Sequence, residues 1–107
     1  NENIHPLEIT VEQFNVQRDQ ENIQLVDVRG SDERKSFHIG GVHIPLDELE
    51  GKLATMDKRR RYIFYCQSGK RSLKAAQLLS DNGFVMVNSL QQGLLQWLKM
   101  TSSLCEN

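Results

Sequence analysis

A chain of 107 residues with a formal net charge of −1, 38% hydrophobic and 25% charged, is sized for one ordinary globular domain. That balance supplies no global attraction for nucleic acid or for a membrane surface, and no apolar run reaches the length a bilayer requires. Only two cysteines occur, Cys66 and Cys105, without C-x-x-C or zinc-finger spacing, so neither a disulfide framework nor a metal site is expected and a reducing, cytoplasmic setting is the simpler reading. Asn1 in first place fits a piece cut from a longer chain.

In chain order, Thr10 with Gln13 three residues later forms a capping box and predicts a helix to about Asp19. IQLVDV, residues 23–28, reads as a buried strand that breaks at Arg29-Gly30. Ser31 is expected to cap a short helix through Phe37. Gly40-Gly41 then gives a turn, and Val42 to Ile44 a short strand stopped by Pro45. Asp47 is expected to cap a helix that carries Leu49, Leu53 and Met56, and Tyr62 to Tyr65 is the next strand. The clearest helix runs from Ser72 to Asn82. Leu73, Ala76 and Leu79 lie on one stripe, and Gly83 stands where a C′ residue belongs. Phe84 to Val87 reads as a strand, Gly93 to Met100 as a last helix, and TSSLCEN as a frayed tail.

Strands that alternate with helices argue for an α/β domain, a mainly parallel sheet flanked by helices on both faces. Ligands of such sheets bind at the carboxyl ends of the strands. Two strand ends carry unusual chemistry, Asp27-Val28-Arg29 and Tyr65-Cys66, and a parallel sheet opens both onto one edge.

The stretch YCQSGKRS, residues 65–72, is the centre of the functional question. Cys66 alone reads most simply as a buried strand cysteine. Its neighbours are poor core residues: Gln67, Ser68, Gly69, Lys70 and Arg71. Gly69 allows a positive φ or a close backbone approach. The helix that begins near Ser72 aims its unpaired N–H groups at the loop, and with the two cations they favour an anion there, such as a thiolate. A nucleotide-binding P-loop is rejected, because Phe64 and Arg71 stand where that motif needs Gly and Ser/Thr. A cysteine phosphatase separates its thiolate and arginine by one residue more than the four between Cys66 and Arg71. The tighter cradle suits a smaller group, such as one sulfur atom.

The loop C-x-x-G-x-R-S resembles the active-site loop of the rhodanese (sulfurtransferase) family. LVDVR at 25–29 with Glu33 resembles the family's first signature, and FHIGGVHIP at 37–45 its H-I-x-G-A-x-x-I-P stretch. AAQLLSDNGF and SLQQGLLQW resemble the helix after the loop and the closing segment. The likeness covers roughly residues 7–99 of a single domain spanning 1–107. It implies a three-layer rhodanese-like fold and a two-step transfer in which Cys66 takes a sulfane sulfur and passes it on. The loop residues Gln67, Ser68, Gly69, Lys70, Arg71 and Ser72 would bind the substrate, and Asp27 and Arg29 would shape the pocket. No cofactor is implied. Partners would be small donors and acceptors (thiosulfate, cyanide, thiols) or a protein sulfur carrier. HIGGVHIPLDEL particularly resembles rhodanese domains fused behind adenylyltransferases of molybdopterin or thiamine biosynthesis, which keeps a relay or docking module open as an alternative. A phosphatase-like cysteine enzyme is a weaker one. Three positions depart from the family pattern: Gln67 replaces a frequent arginine, Gln92 the first glycine of the closing pair, and Val42 a common alanine.

Other polar residues have plainer readings. Asp27 and Arg29 are also a natural structural salt bridge, with Glu33 as a further participant. His38 and His43 favour structural hydrogen bonds over general-base work. The basic run Lys58 to Arg61 enters the strand that Cys66 leaves, which puts it roughly 13–20 Å away at ~3.3 Å per residue, as a solvated loop or a patch for an acidic partner. Trp97 reads as core and Cys105 as a passenger.

Overall fold

The computed structural model describes residues 6–20 and 22–105. Five strands, β1 (Glu8–Ile9), β2 (Ile23–Asp27), β3 (Val42–His43), β4 (Arg61–Tyr65) and β5 (Val87–Leu90), form one sheet in the order β1-β5-β4-β2-β3. Every neighbouring pair is parallel. Helices α1 (Val11–Gln17), α2 (Ser31–Ser36), α3 (Leu46–Leu49), α4 (Lys70–Asp81) and α5 (Gly93–Cys105) make the connections. Among the described residues, no helix is long and apolar enough to cross a membrane.

Strand alternation divides the core in two. Val26, Tyr62, Phe64 and Cys66 pack with Leu49 of α3 and with Ala75, Ala76 and Leu79 of α4. Ile23, Leu25, Ile63 and Tyr65 pack on the other face with Phe14 of α1 and Leu94 of α5. Both faces of the sheet are therefore covered, as expected of a parallel sheet. β2 and β4 run in register, with Asp27 opposite Tyr65. The two chemistry-bearing strand ends accordingly open onto one edge.

The Thr10 capping box forms with both arms: Gln13 N–H donates to Thr10 Oγ1 at 3.2 Å and Thr10 N–H to Gln13 Oε1 at 2.9 Å. α1 stops at Gln17, short of Asp19. Other boundaries differ for identifiable reasons. Gly30, not Ser31, occupies the N-cap of α2, because Glu33 reaches back to the Gly30 N–H at 3.0 Å. Pro45, not Asp47, precedes α3, whose single turn tightens into a 3-10 segment over Glu50–Thr55. α4 starts two residues before Ser72, with Gly69 at its N-cap. α5 continues to Cys105, across most of the stretch expected to fray; the Cys105 side chain, like Asn1, lies outside what is described.

The largest difference is β5. Phe84 is buried but belongs to the approach loop, where its ring meets Tyr62 edge-on at 5.9 Å. Val85 and Met86 are exposed, and pairing begins only at Val87, opposite Tyr62. The apolar run FVMV therefore marks a core plug followed by a turn. The strand itself uses V-N-S-L, whose Asn88 and Ser89 conceal it from a hydropathy pattern.

Candidate active site

Cys66 follows the last residue of β4 and its side chain continues the alternation toward α4, so the thiol is fully buried beneath its loop rather than at the lip. It is a free cysteine. Two amides point at the sulfur: Gly69 N–H lies 3.1 Å from Sγ and Ser72 N–H 3.3 Å. These are the N-cap and third residues of α4, whose orphan N–H groups find no carbonyl in the helix. Gly69 reaches this position with φ 97°, and a Cβ on it would sit 2.9 Å from the Gln92 amide nitrogen. Both the positive φ and the close approach expected of that glycine are therefore present.

Two buried hydroxyls lie below the sulfur. Ser72 Oγ is 3.5 Å from Sγ, donates to the Gly69 carbonyl at 3.2 Å, and is 2.7 Å from Ser89 Oγ. Ser89 comes from β5 and had no sequence signal of its own. The loop is clamped from the far side by α5: Leu94 N–H donates to the Cys66 carbonyl at 2.9 Å and Leu95 N–H to the Gln67 carbonyl at 3.1 Å. One helix N-terminus thus faces the sulfur and a second holds the loop's carbonyls. Gln92, ahead of α5, adopts φ 60°. It has the left-handed backbone that the family's glycine would supply, so this departure changes the residue and keeps the conformation.

Of the charged groups expected near the loop, the arginines are compensated and Lys70 is exposed. Asp27, fully buried, accepts from Arg29 Nε at 3.0 Å, Arg29 Nη2 at 2.9 Å and the Arg29 backbone N–H at 3.0 Å. Burial alone would raise the Asp27 carboxyl, but these bonds and the nearby charge outweigh it and hold it below its ordinary value. Arg29 also donates to the Phe37 carbonyl. Arg34 ties in the neighbouring turn, with Nη2 2.8 Å from the Gly41 carbonyl and Nη1 3.5 Å from Asp27. The Tyr65 hydroxyl donates to the Gly40 carbonyl at 2.9 Å. Asp27 and Arg29 are therefore a structural pair that shapes the edge of the site. Glu33 is not part of that pair; it holds Arg71 with two bonds of 2.8 and 2.9 Å. The Arg71 guanidinium draws the Glu33 carboxyl down to about 2, and the pairing raises Arg71 in turn.

Three clefts border the loop. One of about 440 Å³ is lined by Arg29, Asp32, Glu33, Phe37, Gln67 and Leu98 among others. A second, about 380 Å³, lies between Arg29, Asp47 and Arg71, and a third, about 390 Å³, between Ser68, Gln92 and Lys99. Lys70 is exposed on the first turn of α4. The histidines are structural: His43 Nε2 is 2.8 Å from the Arg29 carbonyl, and His38 Nδ1 accepts the Gly40 N–H at 3.0 Å. The basic run lies at the opposite end of β4, where Arg59 pairs with Asp57 and Arg61 donates to Asn88. Trp97 is only half-buried, packed on the α5 side of the core.

Residues 10–100 match the Rhodanese-like domain. The chain belongs to the rhodanese family. It is 36% identical over 78 residues to the putative sulfurtransferase YtwF of Bacillus subtilis, covering 72% of this chain and 75% of that protein. It is 34% identical over 96 residues to the putative sulfur carrier protein YrkF of the same organism, covering 88% of this chain and about half, 52%, of that protein's length. The human single-domain sulfurtransferase superposes with a TM-score of 0.76 at 24% identity, over 89% of this chain and 97% of that one. The last likeness concerns the fold. Family and relatives together support sulfur transfer in general.

Proposed function

We propose that this rhodanese domain moves a sulfane sulfur from a donor to a thiophilic acceptor through a persulfide on Cys66. The observation that carries the reading is the pair of backbone donors on Sγ, from Gly69 and Ser72, at 3.1 and 3.3 Å. They place two N–H donors on a sulfur held by Cys66 without any side-chain base. In the first step the Cys66 thiolate attacks the outer sulfur of thiosulfate or of a persulfide, and sulfite or a thiolate leaves. In the second, cyanide or an acceptor thiol takes that sulfur and regenerates the thiolate. Covalent catalysis divides one exchange into two easier displacements. The loop residues Gln67 to Ser72 receive the substrate, and the Asp27–Arg29 pair fixes the edge against which they fold. The likeness to a putative sulfur carrier protein favours one variant of the same chemistry, in which the acceptor is a protein thiol and the domain serves as a relay. Phosphate hydrolysis is disfavoured, since the loop is short and its arginine is already held by a carboxylate.

The test is intact mass. Incubation with excess donor should add one sulfur, about 32 Da, which cyanide removes and which Cys66→Ser never acquires. Hydrolysis of an aryl phosphate through Cys66 without any sulfur adduct would defeat the reading and leave the fold untouched.

A further inference from the structure

Of the loop's two basic residues, Lys70 is exposed on the first turn of α4, whereas Arg71, which lines a cleft beside the loop, is already engaged by a carboxylate. Arg71 is held by Glu33 at 2.8 and 2.9 Å, and Glu33 is itself fixed by the Gly30 N–H at 3.0 Å. Arg29, the other arginine at this edge, is bound within the protein by Asp27. Position 67 is an uncharged glutamine. Asp32 and Glu33 line the cleft on the Gln67 side, and Asp47 lines the cleft on the Arg71 side. A dianion that needed Arg71 would have to displace a two-bonded carboxylate while passing other carboxylates. A hydropersulfide carries at most one negative charge and needs only the loop amides for its outer sulfur.

We propose that Glu33 is a specificity-determining residue: by holding Arg71 it biases Cys66 toward hydropersulfide donors, R–S–SH, and against small dianions such as thiosulfate. The proposal rests on the sulfur-transfer reading above. In the favoured step the Cys66 thiolate attacks the outer sulfur of the hydropersulfide. The Sγ–S bond forms, the donor's S–S bond breaks, and its electron pair leaves on the inner sulfur as R–S⁻. The proton stays with the transferred sulfur, and neither oxidant nor reductant is consumed. Glu33 touches no reacting atom; it acts through Arg71.

The experiment compares second-order rates of Cys66 loading, read by intact mass on the full chain, with the hydropersulfide of 2-mercaptoethanol, which has no other charged group, and with thiosulfate. Wild type should load faster from the persulfide, and its thiosulfate rate should fall less steeply with ionic strength than that of Glu33→Gln. Glu33→Gln should raise the thiosulfate-to-persulfide ratio by about tenfold, the equivalent of one modest charge contact. Its thiosulfate rate should now fall with added salt, because an uncompensated Arg71 attracts the dianion. Adding Arg71→Gln should return the ratio toward wild type. A purely structural role for Glu33 would lower both rates in parallel, and an unchanged or falling ratio overturns the assignment. A wild-type preference for thiosulfate does so without any variant. Failure of both donors to load wild-type Cys66 overturns the sulfur-transfer reading itself.

Discussion

Gln92 and Gly93 have the same left-handed backbone, φ 60° and 58°, but their surroundings predict opposite outcomes for substitution. A Cβ on Gly93 would lie 2.3 Å from the Cys66 carbonyl oxygen and 2.7 Å from that of Gln67. Those oxygens accept the Leu94 and Leu95 amides that clamp the loop. Gly93→Ala therefore adds a left-handed cost of about 1–2 kcal/mol and weakens two hydrogen bonds of about 1 kcal/mol each. The stiffer unfolded chain returns about 0.5–1 kcal/mol. The remaining loss of about 2–3 kcal/mol corresponds to a fall in Tm of roughly 10–20 °C for a domain of this size. Gln92 is exposed and already bears its Cβ. Gln92→Gly removes the left-handed cost, about 1–2 kcal/mol, against a similar but smaller loss to unfolded-chain entropy, so it should be neutral or raise Tm by a few degrees. Thermal unfolding followed by circular dichroism separates the two, and intact-mass loading reports the loop itself, which Gly93→Ala should leave slow to take up sulfur. A Gly93→Ala protein that melts within about 3 °C of wild type, or a Gln92→Gly protein that loses as much as Gly93→Ala, would refute the clamp.

Two further outcomes follow from the ion pairs. Asp27→Ala strands Arg29, which is 3% exposed, and should cost about 3–5 kcal/mol by urea unfolding; a loss below about 1 kcal/mol would mean that Arg29 finds water or another partner. Glu33, drawn down to about 2 from 4.5, has a folded value below its unfolded one, so the stability it contributes is complete above the unfolded value and is lost as pH falls toward 2. The pair is partly exposed and the effect correspondingly small; the difference in urea midpoint between wild type and Glu33→Gln should hold steady from neutral pH to about 5 and close near pH 2, and a gap that closes at pH 6 would point to a different group.

What the sequence disclosed was mostly local. The Thr10 capping box, the positive φ at Gly69 and the strand end before Cys66 all follow from a few consecutive residues, and each is present. The shared edge of Asp27 and Cys66 followed from one inference of longer range, the parallel sheet. Features that escaped needed partners far apart in the chain. Ser89 lies 17 residues from the Ser72 hydroxyl it meets, and nothing in V-N-S-L marks it as a buried support for a thiol. Phe84 misled for the same reason: an apolar run states that burial is needed, not whether a strand or a plugging loop supplies it.

The charges show the limit most clearly. Lys70 and Arg71 were read as cations available to a substrate because they neighbour Cys66 in sequence. Availability is decided instead by Glu33, 38 residues away, whose position depends on a cap at Gly30 and on the short helix behind it. The same glutamate was visible in the first signature and was read as a member of the Asp27–Arg29 group. Its direct bonds go to Arg71 instead, while Asp27 meets Arg29 with two side-chain bonds, so Glu33 acts on Arg29 only through charge. Asp27 is thus taken up by Arg29 and Arg34, and Glu33 by Arg71, so the field at the mouth of the loop depends on these pairings as well as on the number of basic residues in it. What remains for a substrate is the exposed Lys70 and the set of backbone N–H groups around Sγ. Backbone donors of this kind attract a sulfur bound to the cysteine without discriminating what it arrived on, so selection among donors falls to the side chains around the loop.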